Sequence, residues 1–196
     1  MERKLNNSLH FLLGITGTHG IVRRYAVVNG FDGALTMLGM LIGFSISADV
    51  ALPVVINACL GVSIALAVSG VSSAYISEAA EQKQALDQLR SAMVSDMADS
   101  AHHRAATIAP LLVALANGGS PLLMGVLIML PLWLGQFGVD LPATPVQMAL
   151  GTALTLIFLL GMFLGRVRGS SLLVSGLLTL LIAGATTLVV YLLGAA

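Results

Sequence analysis

Apolar runs long enough to cross a bilayer are the feature that most constrains this chain. The hydrocarbon core of a membrane is ~30 Å thick, and an α-helix needs ~20 apolar residues to span it. Five segments meet that requirement: 25–48, 50–76, 105–134, 146–164 and 172–193. Only 9% of the 196 residues are charged, against ~25% in soluble domains, too few to cover a water-exposed surface. The sequence therefore predicts an all-α, polytopic membrane protein with five transmembrane helices.

The basic residues predict the orientation of these helices. All nine Lys and Arg lie before the first span, between the second and third, or between the fourth and fifth. The positive-inside rule then predicts a cytoplasmic N-terminus and a C-terminus outside, in agreement with an odd number of spans. Net charge is zero, so there is no basic excess that would indicate a nucleic-acid partner. Phosphate loops, HExxH, CxxC and nucleophile-elbow motifs are missing, so we expect no enzyme and no catalytic residues.

The third apolar segment contains Pro110, Pro121 and Pro131. Each proline removes a helix hydrogen bond, so this segment is expected to be kinked or partly re-entrant. Its Gly-Gly-Ser-Pro stretch at 118–121 is typical of a break that exposes carbonyl oxygens, and Asn117 just before it is a candidate metal ligand. The alternative is that Asn117 is a packing residue whose amide forms a hydrogen bond across helices.

The segment 77–103 is polar and contains neither Gly nor Pro. It predicts one helix that continues the second span into the cytoplasm, and divides the chain into 1–76, a cytoplasmic segment 77–104, and 105–196. Leu86, Leu89, Met93 and Met97 recur every three or four residues and form a narrow apolar stripe. That stripe requires a partner, either a second copy of the chain or the membrane surface.

Two aspartates and two histidines close to this stripe suggest a metal site. Asp96, Asp99 and His103 are spaced so that they share one helix face. Oxygen and imidazole ligands suit a divalent first-row metal, and methionine can add a soft sulfur ligand. The candidate ligands on this helix are Met93, Asp96, Met97, Asp99, His102 and His103. The alternative is an ordinary solvated helix face with a methionine stripe that only packs.

Asp32 lies inside the first predicted span. A carboxylate in hydrocarbon is costly and indicates a functional site unless it lies near the interface. Arg24 marks the headgroup level, which places Asp32 ~12 Å deeper at 1.5 Å per residue. Asn29, one turn earlier, shares its face and is a further candidate ligand, while Gly30 and Gly33 permit the close approach of another backbone. A shallow Asp32 that caps a helix beginning at Gly33 is the alternative.

These residues resemble a known family. The stretches that carry the resemblance are 23–25 with 29–36, 74–78, 109–132 and 168–171 with 177–194. Together they are similar to the vacuolar iron transporter family, in particular to a short prokaryotic branch of it. The resemblance implies a five-helix homodimer in the cell membrane that exports Fe²⁺, and often Mn²⁺, in exchange for protons. Its pore would lie at the dimer interface, with a cytoplasmic helical domain that collects metal.

Carried over to this chain, the resemblance assigns Asp32 as the acid of the first helix. It also assigns Glu78 and Glu81 as acids at the start of the cytoplasmic helix. The chain departs from the family pattern at three positions: Tyr25 and Ala74 replace acids, and Phe31 replaces an asparagine. The predicted pore therefore has fewer carboxylates than the family pattern provides.

Together these features predict a proton-coupled exporter of divalent metal, in which the metal is cargo and no cofactor is permanently bound. Its expected partners are membrane lipid, a second copy of the chain, divalent metal ions and protons. Two other functions are compatible with the sequence. One is a non-transporting scaffold whose cytoplasmic helix binds a partner, and the other is a transporter of a non-metal substrate.

Overall fold

The computed structural model describes residues 18–47, 50–93 and 101–194, without the side chains of 18, 19, 89, 90, 92, 93 and 101–106. Five helices run through these ranges: α1 Thr18–Ile46, α2 Leu52–Met93, α3 Ala101–Gln136, α4 Pro145–Arg168 and α5 Leu172–Gly194. The described residues contain no strand. Each helix has a stretch long and apolar enough to cross a membrane. The predicted all-α polytopic fold is confirmed, and the chain is an integral membrane protein.

Helix α2 is longer than a bilayer requires. Its 42 residues extend ~63 Å at 1.5 Å per residue, about twice the ~30 Å hydrocarbon core. The candidate span within α2 is Leu52–Gln88, and the sequence of the helix becomes polar after Ile76. The prediction that the second span continues into a polar helix is confirmed as far as Met93.

The same prediction is wrong at its C-terminal end. His102 and His103 lie in the first turn of α3, and α3 runs antiparallel to α2. The contacts establish this direction, because Ala74 packs with Val113 while Gly70 meets Asn117. A single helix from 77 to 103 would carry α3 away from α2 and abolish both contacts. The helix face shared by Asp99 and His103 stays a prediction, because Asp99 lies outside the described residues.

The predicted break in the third span is also wrong. Helix α3 is continuous through Gly118, Gly119, Ser120 and Pro121. Pro121 cannot donate to the carbonyl of residue 117, which costs one helix hydrogen bond, but tight packing around this turn keeps the helix intact. Membrane helices tolerate such residues where neighbouring helices replace the lost contacts.

Contacts divide the chain into two units. One unit comprises residues up to Ala26 together with Ala67–Gly119, and the other comprises Val27–Leu66 and the chain from Ser120 onward. The first has a small apolar cluster of Ala74, Val113 and Ala114, with Ile21, Val22, Tyr25 and Val71 against it. The second holds the larger core, with contributions from α1 to α5 that include Met37, Cys59, Met129, Ile157 and Ala183.

Helices α4 and α5 form a tight hairpin in the second unit. Thr144 caps α4 in a capping box with Gln147, and Gly169 ends it in the left-handed conformation at φ 74°. Gly161 and Gly165, which have the spacing of a GxxxG motif, lie against α5. A Cβ at Gly165 would come within 2.6 Å of the Ser175 hydroxyl, and one at Gly161 would collide with Thr179. Both glycines are buried, so this pair is a packing motif within one chain.

Candidate functional site

Asp32 lies near the middle of the apolar part of α1. It follows Gly20 by twelve residues and precedes Ile46 by fourteen, so ~18 Å and ~21 Å of helix flank it. Its side chain is exposed on the surface of the chain. The backbone carbonyl of Asp32 accepts a hydrogen bond from Thr36 Oγ1 at 2.8 Å, but its carboxylate has no hydrogen bond or ion pair among the described residues. Because α1 begins at Thr18, the alternative that Asp32 caps a helix beginning at Gly33 is wrong.

The glycines beside Asp32 define the opposite face of α1. A Cβ at Gly33 would lie 2.7 Å from both Cα and Cβ of Pro121, and one at Gly30 would lie 2.7 Å from the Ser120 hydroxyl. The expected close backbone approach is therefore confirmed, and α3 provides it. Because the buried glycines hold α1 against α3, Asp32 is fixed on the outward face, while Asn29 lies half-buried between the two faces.

Asn117 lies at a close crossing of α2 and α3. Its Nδ2 donates to the Gly70 carbonyl at 2.7 Å, and its side chain is only 7% exposed. A Cβ at Gly70 would lie 2.9 Å from Gly118 Cα, so only glycines permit this approach. The interhelical hydrogen bond accounts for a buried amide at this position. A role for Asn117 as a metal ligand remains a prediction.

Glu78 is a buried carboxylate on α2. It is 5% exposed, and one oxygen, Oε1, accepts a hydrogen bond from Gln82 Nε2 at 2.9 Å. Ala74, one turn before it, and Leu86, two turns after it, are also buried. Glutamate is rarely buried unless it is paired, and no cationic partner for Glu78 occurs among the described side chains. Burial thus distinguishes Glu78 from Glu81, which is exposed.

The two positions where the resemblance expects acids belong to one cluster. Tyr25 packs against the cluster that contains Ala74, and the Arg24 guanidinium lies 5.6 Å from the centre of the Tyr25 ring. Where the family pattern has two acids, this chain thus has Tyr25 and Ala74, which pack in one largely apolar cluster. Glu78 is the carboxylate that remains one turn further along α2.

The other predicted metal ligands cannot be placed by their side chains. Asp96, Met97 and Asp99 lie outside the described residues, and Met93, His102 and His103 are described only as parts of helices. Within the described residues, no three His, Cys, Asp or Glu side chains come together. The weak metal site predicted at Asp96, Asp99 and His103 stays a prediction.

Sequence reasoning missed a polar residue in the second span. Asn57 is exposed one turn into α2, and its amide has no hydrogen bond within the described part of the chain. Gly61 and Ala65 follow at four-residue intervals and are also exposed, with open space beside Gly61. The apolar residues around Asn57 made the segment resemble an ordinary lipid-facing span. The four-residue spacing of Asn57, Gly61 and Ala65 is the sequence signal that could have indicated this face.

These features define a five-helix membrane protein whose described residues include an exposed carboxylate, Asp32, within the first candidate span and a buried carboxylate, Glu78, in the polar part of α2. The chain is similar to an uncharacterized protein of Methanocaldococcus jannaschii, with 28% identity over 180 residues that cover 90% of this chain and 88% of the relative. No protein-family profile matches the chain, and no solved structure matches it. The similarity extends over nearly the full length of both proteins.

Proposed function

We propose that this protein is a homodimeric, proton-coupled exporter of divalent metal ions, Fe²⁺ or Mn²⁺, with its pore at the dimer interface. The exposed position of Asp32 in the middle of α1 carries the proposal. A carboxylate that faces lipid at this depth costs about 2.5–3.5 kcal/mol or more. A second copy that covers Asp32 and encloses water or a cation removes most of that cost.

The exposed face of α2 supports association with a second copy. Asn57, Gly61 and Ala65 present small or polar groups where lipid-facing helices usually carry large apolar ones. Small residues let membrane helices approach closely, and amides form hydrogen bonds across such interfaces. Val54, Ile64 and Val68 are exposed apolar side chains on the same face of α2, and they would pack around Asn57, Gly61 and Ala65 at such an interface.

Carboxylate and amide oxygens suit divalent cations such as Mn²⁺ and Fe²⁺. Asp32 and Asn29, doubled by a two-fold axis, would provide four such side chains. Two facing carboxylates repel each other, and either a proton or a metal ion relieves that repulsion. Exchange of one for the other is the proposed coupling. The choice of Fe²⁺ and Mn²⁺ rests on the resemblance to vacuolar iron transporters, as do the cell-membrane location and the role of Glu78 at the cytoplasmic entrance.

The scaffold alternative has less support. It requires the apolar stripe of the α2 extension to remain free for another protein, but Leu86, the first residue of that stripe, is only 8% exposed in the isolated chain. The chain itself therefore covers the start of the stripe.

Transport into proteoliposomes tests the proposal. We expect Mn²⁺ or Fe²⁺ flux that responds to a pH gradient, and we expect Asp32→Asn to abolish metal flux and metal-linked proton flux together. Asp140→Asn is the matched control, because Asp140 is an exposed carboxylate in the α3–α4 loop, outside the spans. Wild-type flux in Asp32→Asn would refute the proposed pore. If the wild-type protein moves neither ion, the proposal of metal transport fails.

A further inference from the structure

The turn between α4 and α5 carries two arginines that have no acidic counterpart. Arg166 and Arg168 lie in the last turn of α4 and are exposed. Residues 145–194, which form both helices, contain no Asp or Glu. Neither guanidinium has a hydrogen bond or ion pair among the side chains that the structure describes. The hairpin thus ends in two positive charges that no described side chain neutralises.

Several polar groups of the turn already have hydrogen-bond partners. Ser170 Oγ lies 2.9 Å from Ser175 Oγ and donates to the Gly165 carbonyl at 3.3 Å, while the Gly169 and Ser170 amides bond to carbonyls of the last turn. The serine hydroxyls and these amides are thus engaged within the turn. The two guanidinium groups are the charged donors of the turn, and the first amides of α5, which have no partner within that helix, lie beside them.

Exposed apolar side chains adjoin the arginines on the membrane side. Phe163, Leu164 and Val167 are 42–48% exposed on α4, and Leu173 and Val174 are 62% and 64% exposed on α5. Helices of 24 and 23 residues extend ~36 Å, which slightly exceeds the hydrocarbon thickness and places the turn at the headgroup level. A ligand that fits here must combine an anionic head with an apolar tail.

We propose that the α4–α5 turn binds anionic phospholipid, with the phosphate groups on Arg166 and Arg168 and the acyl chains against the apolar side chains below them. Guanidinium is suited to phosphate because its planar donors match two phosphate oxygens. Residues two apart on a helix diverge by ~200°, so each arginine holds a separate headgroup. The site does not depend on metal transport.

Native mass spectrometry of the detergent-purified protein tests this site. The probes are phosphatidylglycerol and phosphatidylcholine with identical acyl chains, together with glycerol phosphate, which has no acyl chain. We expect the wild-type protein to prefer phosphatidylglycerol, and each of Arg166→Gln and Arg168→Gln to lower that preference about fivefold, as expected for one basic residue at a membrane surface. The double variant should lower it about 25-fold, and Arg166→Lys should retain most of it.

Lys83→Gln is the matched control, because it removes one exposed positive charge from the polar extension of α2, where Glu81 and Asp87 are neighbours. An equal effect of Lys83→Gln would show that total charge alone sets the preference and would overturn the site. An unchanged preference for phosphatidylglycerol in both glutamine variants would also overturn the site. Binding of glycerol phosphate as tight as that of phosphatidylglycerol would identify a free-phosphate site and refute the lipid. If the glutamine variants do not fold, Arg166→Lys and Arg168→Lys take their place in the test. Both lysine variants must then retain the preference for phosphatidylglycerol.

Discussion

Replacement of Gly33 by alanine should separate α1 from α3. The new Cβ would lie 2.7 Å from two carbon atoms of Pro121 and 3.2 Å from its carbonyl oxygen. Two of these three atoms belong to backbone, so a rotamer change cannot relieve the clash and the helices must shift. Overpacking of this kind costs about 1–3 kcal/mol. Alanine also favours the helix over glycine by about 1 kcal/mol, which masks part of the cost.

Gly43→Ala provides the matched control on the same helix. It brings the same helical preference, but a Cβ at Gly43 meets nothing within 4 Å. The difference in stability between the two variants therefore isolates the cost of the clash, about 1–3 kcal/mol. This cost corresponds to a ratio of about 5 to 150 between their equilibrium constants for opening of the core.

The single thiol of the chain can measure this ratio. Cys59 is 0% exposed in the core of the same unit, so a maleimide reaches it only when that core opens. We expect Cys59 in Gly33→Ala to react about 5 to 150 times faster than in Gly43→Ala under conditions where closing outpaces labelling. Equal rates in the two variants would refute the close approach of α1 and α3.

Three further predictions concern other parts of the chain. Asn117→Ala removes the hydrogen bond to the Gly70 carbonyl and should lower stability by about 0.6–1.7 kcal/mol in SDS-unfolding titrations; no change would mean that this bond does not hold α2 against α3. Thr144→Ala should cost about 1 kcal/mol, since it removes the side-chain acceptor that caps α4, and Thr144→Ser should restore most of it. In a Cys59→Ser background, cysteines at Lys83 and Leu193 should be labelled from opposite sides of the membrane; labelling from one side would contradict the five-span topology.

The number and approximate limits of the spans could be read from the sequence, because apolar length is a local property. The long α2 was predictable for the same reason, since no Gly or Pro interrupts the polar segment after Ile76. The break at 118–121 was predicted wrongly, because glycine permits both a break and a close helix crossing. The choice between them depends on Gly70, which lies almost fifty residues earlier.

The candidate site was only partly visible from the sequence. The depth of Asp32 followed from counting residues along one helix, but its outward direction depends on how Gly30 and Gly33 meet α3. The burial of Glu78 could not be inferred, because it depends on packing around α2 that periodicity does not report. The histidine pair was assigned to the wrong helix, because a polar segment without Gly or Pro gives no signal of where the chain reverses.

Glu78 provides the sharpest test of whether its burial serves ion binding or only structure. Glu78→Gln keeps the shape of the side chain, and its amide oxygen can still accept the hydrogen bond from Gln82, so removal of the charge should leave stability without metal unchanged or higher. A ligand that binds only the folded state stabilises it by about 2.7 kcal/mol at one hundred times its dissociation constant. We therefore expect Mn²⁺ to raise the unfolding temperature of the wild-type protein, and Glu78→Gln to reduce that rise.

Asp140→Asn is the control, because it removes a carboxylate charge from an exposed position in the α3–α4 loop. It should retain the Mn²⁺-dependent rise. If Glu78→Gln retains the full rise and Asp32→Asn loses it, Glu78 has no part in metal binding and its burial is structural. If Glu78→Gln instead unfolds without metal, the carboxylate is needed for packing, and only Glu78→Asp can then test its role as a ligand: that variant should bind Mn²⁺ more weakly, because the shorter side chain withdraws the charge by one methylene. A full Mn²⁺ response in a folded Glu78→Asp protein would exclude Glu78 as a ligand in that case too.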